Sequence, residues 1–254
     1  WYDFTEERVA PLGELDVVLM RKDPPFDLTY IMVTYLLDAA SRAGALIVNP
    51  PSALRDFNEK MATTLFPQCC VPMLVARDIS RLRDFIIDSG HAVVKPVDGM
   101  GGESIFSVKA EDKNLNVILE TVTGHGKRYV MAQHFIPEIS AGDKRILMVN
   151  GNPIPYSLAR IPRAGEFRGN LAAGGSGVGQ PLSERDYWIA HEVGTWLRDN
   201  GVLFAGLDVI GDYLTEINIT SPTCIRELDA EFGLNISSDL FDVIEQRCTA
   251  NSSS

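Results

Sequence analysis

The chain has 254 residues, of which 45% are hydrophobic and 22% are charged, and its formal net charge is −11. This composition is typical of a soluble folded protein with one large core or two to three small ones. The acidic balance argues against nucleic acid as a partner, because a phosphate backbone demands a basic surface. No window approaches ~18 consecutive apolar residues, so the sequence predicts no membrane span.

The four cysteines show neither a disulfide framework nor zinc-ligand spacing, since Cys69 and Cys70 are adjacent while Cys224 and Cys248 stand alone. We therefore expect a reduced, cytoplasmic compartment. The chain opens with Trp1 in a charged segment without a signal-peptide pattern. We expect that it begins partway through a larger protein.

The first elements are predicted to form a strand–helix–strand unit. An apolar run at residues 16–20 predicts a buried strand, and a helix follows from Asp27 or Thr29 to Ala43. Leu46–Val48 predicts the second strand. This order indicates an α/β unit with a parallel sheet.

The middle of the chain alternates predicted helices and strands. Ser52 is expected to cap a helix that carries residues 58–60. The remaining predictions are a strand at 71–75, a helix at 78–89, strands at 92–96 and 105–108, a helix at 115–122, and strands at 129–135 and 145–149. Asn150-Gly151 is a strong hairpin signal that leads into a strand at 154–159.

Periodicity disappears from residue 160 to residue 181, where six glycines fall. Ordered loops of this length are uncommon in compact domains and are often functional lids. A helix is then predicted from Ser183, with Asp186 completing a capping box. Two helical segments near 224–231 and 239–247 close the chain.

Residues 207–218 read as two apolar strands joined by a tight turn and ending in Glu-x-Asn. Glu216 and Asn218 must share one face of their strand, because side chains alternate. If the turn holds the odd number of residues 211–213, Asp208 lies opposite Glu216 on that face. Oxygen ligands of this kind suit Mg²⁺, which often bridges nucleotide phosphates. The polar outer face of an ordinary hairpin is the alternative.

Lys95 ends an apolar strand and is followed by Asp98-Gly-Met-Gly-Gly102. Glycines let the backbone approach an anion closely, and a strand-edge lysine adds a point charge for phosphate. The segment is neither a P-loop nor a dinucleotide fingerprint, because no Gly-Lys-Ser/Thr follows and the next element is a predicted strand. It is either a glycine-rich hairpin over nucleotide phosphates or a structural turn.

Other cationic residues could be anion-binding groups or merely exposed charges. Lys60, beside Glu59, is a solvated helix lysine on pattern alone. Arg145, Arg160, Arg163 and Arg168 flank the aperiodic segment, where guanidinium forks would hold carboxylates or phosphates, or would only add solubility. The segment 221–224 has a serine and a cysteine but no partnered histidine, which argues against covalent catalysis.

Lys60, the glycine-rich segment after Lys95, and the hairpin with Asp208, Glu216 and Asn218 follow the order of ATP-grasp ligases. Several strings make the resemblance closer, and the chain is similar to prokaryotic glutathione synthetases from about residue 15 to 247. They are MRKDPPFD at 20–27, DKR at 143–145, LARIP at 158–162, RGNLAAGG at 168–175 and TEINITSPTCIRE at 215–227. Ser176 departs from the family pattern, which has a basic residue at that position.

The resemblance implies an α/β protein, α+β in the nucleotide region, with the ATP-grasp fold of two α+β subdomains that clamp ATP. Residues 1–56 would be the remainder of a parallel-sheet N-terminal domain, apparently truncated. Residues 57–136 would be the central subdomain, and residues 137–254 would be the C-terminal subdomain with a lid at 161–179.

The resemblance also implies the reaction, in which ATP phosphorylates γ-glutamylcysteine and glycine attacks the acyl phosphate. Its site residues here would be Lys60, Lys95, Gly99, Gly101, Gly102, Gln133, His134, Phe135 and Asp143 for ATP, Asp208, Glu216 and Asn218 for Mg²⁺ or Mn²⁺, and Arg145, Arg160, Arg168 and Asn218 for substrate and catalysis. The substrates would be γ-glutamylcysteine, glycine and ATP, and the assembly a homotetramer. Another ATP-grasp carboxylate–amine ligase and a non-catalytic nucleotide-binding module are the alternatives.

Overall fold

The computed structural model describes residues 3–99, 104–163, 169 and 176–252. The helices are α1 (Leu28–Arg42), α2 (Pro51–Asp56), α3 (Ile79–Ser89), α4 (Leu115–Val122), α5 (Glu184–Asp199), α6 (Ile225–Phe232) and α7 (Ile236–Ser252). The strands are β1 (Val17–Leu19), β2 (Leu46–Val48), β3 (Met73–Ala76), β4 (His91–Pro96), β5 (Phe106–Lys109), β6 (Val130–His134), β7 (Asp143–Val149), β8 (Asn152–Ile161), β9 (Ser176–Pro181), β10 (Phe204–Ile210) and β11 (Tyr213–Asn218).

The N-terminal region is the predicted parallel unit, in which β1 pairs with β2 and α1 connects them. Asp27 caps α1, because its side chain accepts a hydrogen bond from the Tyr30 N–H at 2.8 Å. Asn49, directly after β2, is buried, and its side chain bonds main-chain groups of Phe204 and Ile219. This residue therefore fastens the N-terminal unit to the C-terminal sheet.

The central region is an antiparallel sheet in the order β3-β6-β4-β5, with α3 and α4 on one face. Val94 and Ala132 pack in the core beneath these helices. Strand alternation places their neighbours Lys95 and Gln133 on the opposite face. That face is turned toward β11, since Lys95 Nζ donates to the Thr215 carbonyl at 3.3 Å.

The C-terminal region is a five-stranded antiparallel sheet in the order β11-β10-β7-β8-β9. Leu207 and Val209 of β10 pack against α5 on one face, while α6 and α7 cover part of the other. Ser183 and Asp186 form the predicted capping box of α5. Asp208, between the two core residues, consequently points to the face opposite α5.

Two sequence predictions about local structure are wrong. The helix after Pro50 begins at Pro51 and ends at Asp56, so Ser52 lies inside it and residues 58–60 lie beyond its end. A proline at the first helical position loses no hydrogen bond, which explains the early start. Phe57 leaves the helix in an extended conformation, and its ring packs on Trp196 with centroids 4.5 Å apart.

The segment predicted to be an aperiodic loop, residues 160–181, is partly strand. Ile161 ends β8, and Ser176 begins β9, which pairs with β8 up to Tyr156↔Pro181. The glycines of β9 hid the alternating pattern of a strand in the sequence. Because β9 lies at the edge of the sheet, it needs few apolar side chains. Residues 164–168 and 170–175 of this prediction lie outside the described residues.

Within the described parts of the chain, none of the helices combines the length and apolar character that crossing a lipid bilayer requires.

Candidate active site

The hairpin of β10 and β11 brings Asp208 opposite Glu216, as the sequence predicts, but through a bulge instead of an odd-numbered turn. Ile210 pairs with Tyr213 across a two-residue turn, and the register shifts by one residue before Asp208. Leu214 and Ile217, three positions apart, both enter the core because of this shift. Without the bulge, Glu216 would point away from Asp208.

Asn218 lies on the same face as Glu216, opposite Gly206. Its amide nitrogen donates to the Gly206 carbonyl at 3.4 Å, a bond that turns the amide oxygen away from that carbonyl. A Cβ added to Gly206 would lie only 2.8 Å from Arg145 Cδ, which is too close for two carbon atoms. The absence of a side chain at Gly206 therefore lets Arg145 lie across β10.

We call the first group of charges the arginine cluster; it comprises Asp143, Arg145, Arg160 and Asp208. Arg145 donates to both oxygens of Asp208, from Nε at 2.5 Å and from Nη2 at 3.0 Å. Arg160 Nη2 lies 2.8 Å from Asp208 Oδ2 and 2.5 Å from Asp143 Oδ2. The register of β10, β7 and β8 produces these contacts, because Asp208 pairs with Arg145 and Asp143 pairs with Arg160.

We call the second group the lysine cluster; it comprises Glu59, Lys60, Lys95 and Glu216. Both lysines are almost fully buried, at 2% and 5% exposure, so the prediction of a solvated helix lysine at position 60 is wrong. Their Nζ atoms lie 3.5 Å and 3.6 Å from Glu216 Oε1. Lys60 also contacts Glu59 and donates to the Gly99 carbonyl at 2.6 Å. The two clusters therefore meet at the hairpin, where Asp208 of one lies opposite Glu216 of the other.

Burial and opposite charge compete in the arginine cluster. Burial alone would raise the pKa of Asp208, but Arg145 and Arg160 outweigh it and hold that pKa well below its usual range. Burial raises the pKa of Asp143 to about 6 despite the nearby Arg160. One carboxylate of the cluster is thus firmly ionised, while the other is close to titration near neutral pH.

The lysine cluster shows the same competition with a different outcome. Burial lowers the pKa of Lys95. Burial acts in the same direction on Lys60, but the charges of Glu216 and Glu59 outweigh it and raise that pKa. Burial, followed by repulsion from Glu216, raises the pKa of Glu59 to about 7. The cluster therefore has a proton-binding group near neutrality beside a firmly charged lysine.

The three residues predicted at adenine have different orientations. Gln133 is 4% exposed on the Lys95 face of the sheet, and its Nε2 has no hydrogen-bond partner among the described residues. The His134 ring lies against Phe85 of α3, on the helical face of the sheet. Only the main chain of His134 is therefore available on the face that carries Lys95. The Phe135 ring stacks on His91 with centroids 3.9 Å apart.

Some predicted residues lie outside the described ones, namely Gly101, Gly102 and Arg168. Within the described ranges, no group of three or more His, Cys, Asp or Glu side chains could hold a metal ion. The predicted set of Asp208, Glu216 and Asn218 contains only two such side chains and one amide. The absence of larger groups therefore does not bear on this set.

Sequence reasoning did not assign roles to Asn58 and Glu59. Both belong to the turn after α2, where Asn58 bonds the main chain of the following residues. An asparagine side chain readily bonds the main chain two or three residues further on and so favours a turn. Asn58 was therefore the one local signal in the sequence for this turn. The partnership of Arg145 with Asp208 had no signal in the sequence, because 63 positions separate the residues.

Two family models match the chain. The model described as prokaryotic glutathione synthetase, N-terminal domain, matches residues 1–55, and that described as prokaryotic glutathione synthetase, ATP-grasp domain, matches residues 59–233. The chain belongs to the prokaryotic glutathione synthetase family. The predicted resemblance is thereby confirmed, and the ATP-grasp fold with it.

Curated members of the prokaryotic glutathione synthetase family are similar over nearly the whole chain. The glutathione synthetase of Pseudomonas syringae pv. tomato is 59% identical over 250 residues, which cover 98% of this chain and 78% of the relative. That of Xanthomonas axonopodis pv. citri is 60% identical over 245 residues, covering 96% and 78% respectively. Identity at this level over both matched domains makes the chain an ATP-dependent ligase by family.

Solved structures share the fold at low identity. A crystal structure of the D-cycloserine synthetase DcsG has a TM-score of 0.71 at 12% identity and covers 94% of this chain and 87% of its own. The D-alanine–D-alanine ligase of Bacillus anthracis complexed with ATP has a TM-score of 0.64 at 14% identity, with 94% and 82% covered. These likenesses show the fold of the chain.

Proposed function

We propose that the chain joins γ-glutamylcysteine to glycine, at the expense of ATP, to form glutathione, ADP and phosphate. The observation that carries the proposal is the convergence of Lys60, Lys95, Asp208, Glu216 and Asn218 on one hairpin in a chain of this family. Four buried cations lie close to four carboxylates there, and burial raises the pKa of two of these carboxylates, Glu59 and Asp143, toward neutrality. An anionic nucleotide therefore meets no excess of negative charge in the site.

The residues present fit a nucleotide. Lys60 and Lys95 are buried ammonium groups that would bind ATP phosphates, and Gly99 begins the segment that would cover them with Gly101 and Gly102. The Nε2 of Gln133 is a buried donor without a partner in the part of the chain that the structure describes, and a base acceptor would satisfy it. His134 and Phe135 would border the adenine, the former through its main chain. Asp143, one oxygen of which has no partner among the described residues, is our candidate for the ribose.

The residues present also fit a hard divalent cation. Asp208, Glu216 and Asn218 supply only oxygen donors on one face of the hairpin, which suits Mg²⁺, with Mn²⁺ as the alternative. Glu216 is the more accessible of the two carboxylates, and its lysine partners lie beyond hydrogen-bond distance from it at 3.5 Å and 3.6 Å. When bound, the metal ion neutralises charge on the nucleotide phosphates.

The reaction needs positioning and positive charge instead of a protein nucleophile. A carboxylate oxygen of γ-glutamylcysteine attacks the γ-phosphorus, and the bond to ADP breaks. The glycine nitrogen then attacks the acyl carbon, phosphate leaves with its bonding electron pair, and the new amide nitrogen loses a proton. Burial raises the pKa of Cys224, so the thiol nearest the arginine cluster stays protonated and does not compete as a nucleophile.

The arginines of this chain would orient the anions of that sequence. Arg145 and Arg160 are fixed by Asp208 and Asp143, so their remaining N–H groups have defined directions. We assign them, with Arg168, to substrate carboxylates or to the transferring phosphoryl group, and Asn218 to a substrate contact. The residues between β8 and β9 would exclude water from an acyl phosphate that is prone to hydrolysis.

The proposal includes the organisation of the chain. The family models meet between residues 55 and 59, which supports a boundary after residue 56. We propose a further division of the remainder into 57–136 and 137–254. We further propose a homotetramer, in line with the family, and a cytoplasmic site of action.

The test is an assay of the chain with ATP, Mg²⁺, γ-glutamylcysteine and glycine. We expect ADP, phosphate and the tripeptide in equal amounts, and no ADP release when γ-glutamylcysteine is omitted. A panel of acceptor amines in place of glycine separates this function from that of another carboxylate–amine ligase. No ADP release above background with all substrates present would refute the proposal.

A further inference from the structure

Asn58 uses both ends of its side-chain amide. Its Oδ1 accepts hydrogen bonds from the main-chain N–H groups of Lys60 and Met61, each at 3.0 Å. Its Nδ2 donates to the Val97 carbonyl at 2.9 Å, 39 positions away. One half-buried side chain therefore connects the turn after α2 to the segment that follows β4.

The bonds to Oδ1 fix the turn that presents Lys60. Lys60 precedes a short 3₁₀ helix, Met61–Leu65, and the Asn58 oxygen satisfies two of the N–H groups at its start. The next residue of the turn is held from the other side, because the Glu59 carbonyl accepts from the Ile217 N–H of β11 at 2.9 Å. The turn is thus seated beside Glu216.

The bond from Nδ2 fixes the start of the glycine-rich segment. Three consecutive residues there are each held by a different contact. Val97 is held by Asn58, Asp98 by Arg128, whose Nη2 donates at 2.8 Å, and Gly99 by Lys60 at 2.6 Å. Two of these contacts come from the turn of residues 58–60.

We propose that Asn58 is a positioning residue for nucleotide binding, which holds Lys60 and the start of the glycine-rich segment at a fixed separation above Glu216. The inference rests on the proposed function, in which Lys60, Lys95 and the glycines bind ATP phosphates. An amide is required because the position needs an acceptor toward Lys60 and Met61 and a donor toward Val97. Serine supplies only the first of these, since its hydroxyl is too short to reach Val97 as well.

The experiment compares Asn58→Ser with Asn58→Ala. Serine caps a helical start nearly as well as asparagine does, so Asn58→Ser removes the Val97 bond and keeps the turn. Alanine removes both. The matched control is Asn200→Ser, since Asn200 is also half-buried and its Nδ2 donates to a main-chain carbonyl, that of Trp196 at 2.8 Å, at the far end of α5.

The expected result is a change confined to the nucleotide. Loss of one such bond weakens binding about three- to tenfold, so Asn58→Ser should raise the KM for ATP and the Kd for MgADP by that factor. The KM values for glycine and γ-glutamylcysteine should stay at their wild-type values, and the melting temperature should fall no further than in Asn200→Ser, which also loses one intramolecular hydrogen bond. Asn58→Ala should show at least the same loss, with a lower melting temperature, and Asn200→Ser should leave the Kd for MgADP unchanged.

The inference is overturned if Asn58→Ser binds MgADP with wild-type affinity. It is also overturned if all three KM values and the melting temperature change together, as a general loss of structure would produce. Calorimetric binding of MgADP requires no turnover, so a wild-type chain that binds MgADP but forms no glutathione refutes the proposed function alone. A wild-type chain that does not bind MgADP refutes both.

Discussion

The arginine cluster and the lysine cluster contain two cations and two carboxylates each, but they hold their central acid differently. Asp208 is 3% exposed and receives three contacts of 2.5–3.0 Å from two guanidinium groups. Glu216 is about one-fifth exposed, and its two lysines lie at 3.5 Å and 3.6 Å. Planar guanidinium forks fix a carboxylate, whereas an ammonium on a flexible stem shares it.

Because of this difference, we expect the two clusters to have different roles in the site. The arginine cluster is the structurally rigid part of the site, because removing one of its members leaves buried charges uncompensated. The lysine cluster has longer contacts to its central acid, and we propose that Glu216 there binds the metal ion while the lysines bind phosphates. Variants of the two central acids should therefore differ in kind, with a loss of stability at Asp208 and a loss of turnover at Glu216.

The largest effect is expected from Asp208→Asn. The change leaves Arg145 and Arg160 buried without their shared carboxylate, and a broken buried ion pair costs about 3–5 kcal/mol. Urea denaturation should show this decrease in the free energy of unfolding. A loss below about 1 kcal/mol would mean that the arginine cluster contributes no more than a surface pair.

Glu216→Gln should impair turnover severely and leave the fold intact. Loss of a charged metal ligand costs about 3 kcal/mol of charge stabilisation, or about a hundredfold in kcat. The free energy of unfolding should fall by less than in Asp208→Asn, because Lys60 keeps its contacts with Glu59 and the Gly99 carbonyl and Lys95 keeps the Thr215 carbonyl. Activity close to that of the wild type would remove Glu216 from the metal site.

Glu59→Gln should change how stability depends on pH. The pKa of Glu59 is about 7 in the folded chain, against an ordinary value of 4.5. The folded form therefore keeps a proton that the unfolded form releases, so this contribution is complete below 4.5 and is lost as pH rises through 7. From pH 5 to pH 8 the variant should gain stability relative to the wild type, as followed by urea denaturation at each pH. Parallel stability curves for the two proteins would contradict the assignment.

The smallest effect is expected from Asp98→Asn. The pair of Asp98 with Arg128 is about half exposed on both sides, and exposed pairs contribute about 0–1 kcal/mol. We expect a change within that range, and a smaller one at high salt. A loss comparable to that of Asp208→Asn would show that exposure does not govern the strength of these ion pairs.

Local signals predicted much of the fold correctly. Asp27 caps α1, and Ser183 with Asp186 forms the capping box of α5. Each of these depends on residues three or fewer positions apart. The hairpin at Asn150-Gly151 belongs to the same class, since both residues have positive φ.

Tertiary packing decided what the sequence could not indicate. Phe57 leaves the helix because its ring packs on Trp196, and this change moves Lys60 from a predicted helix face into a buried turn. A two-residue turn alone would place Asp208 and Glu216 on different faces, and the bulge in β11 returns them to the same face. No local residue pattern indicated this bulge. The partners of Asp208 come from two other strands, so only the assembled sheet defines its charge.

The central claim is that the bulged hairpin is the metal end of an ATP site. A crystal structure of the chain with a non-hydrolysable ATP analogue and Mg²⁺ tests it most directly. We predict metal–oxygen distances of about 2.0–2.1 Å to Glu216 and to Asp208 or Asn218, with phosphates on Lys60 and Lys95. A metal ion bound elsewhere, or phosphates that contact neither lysine, would contradict the account.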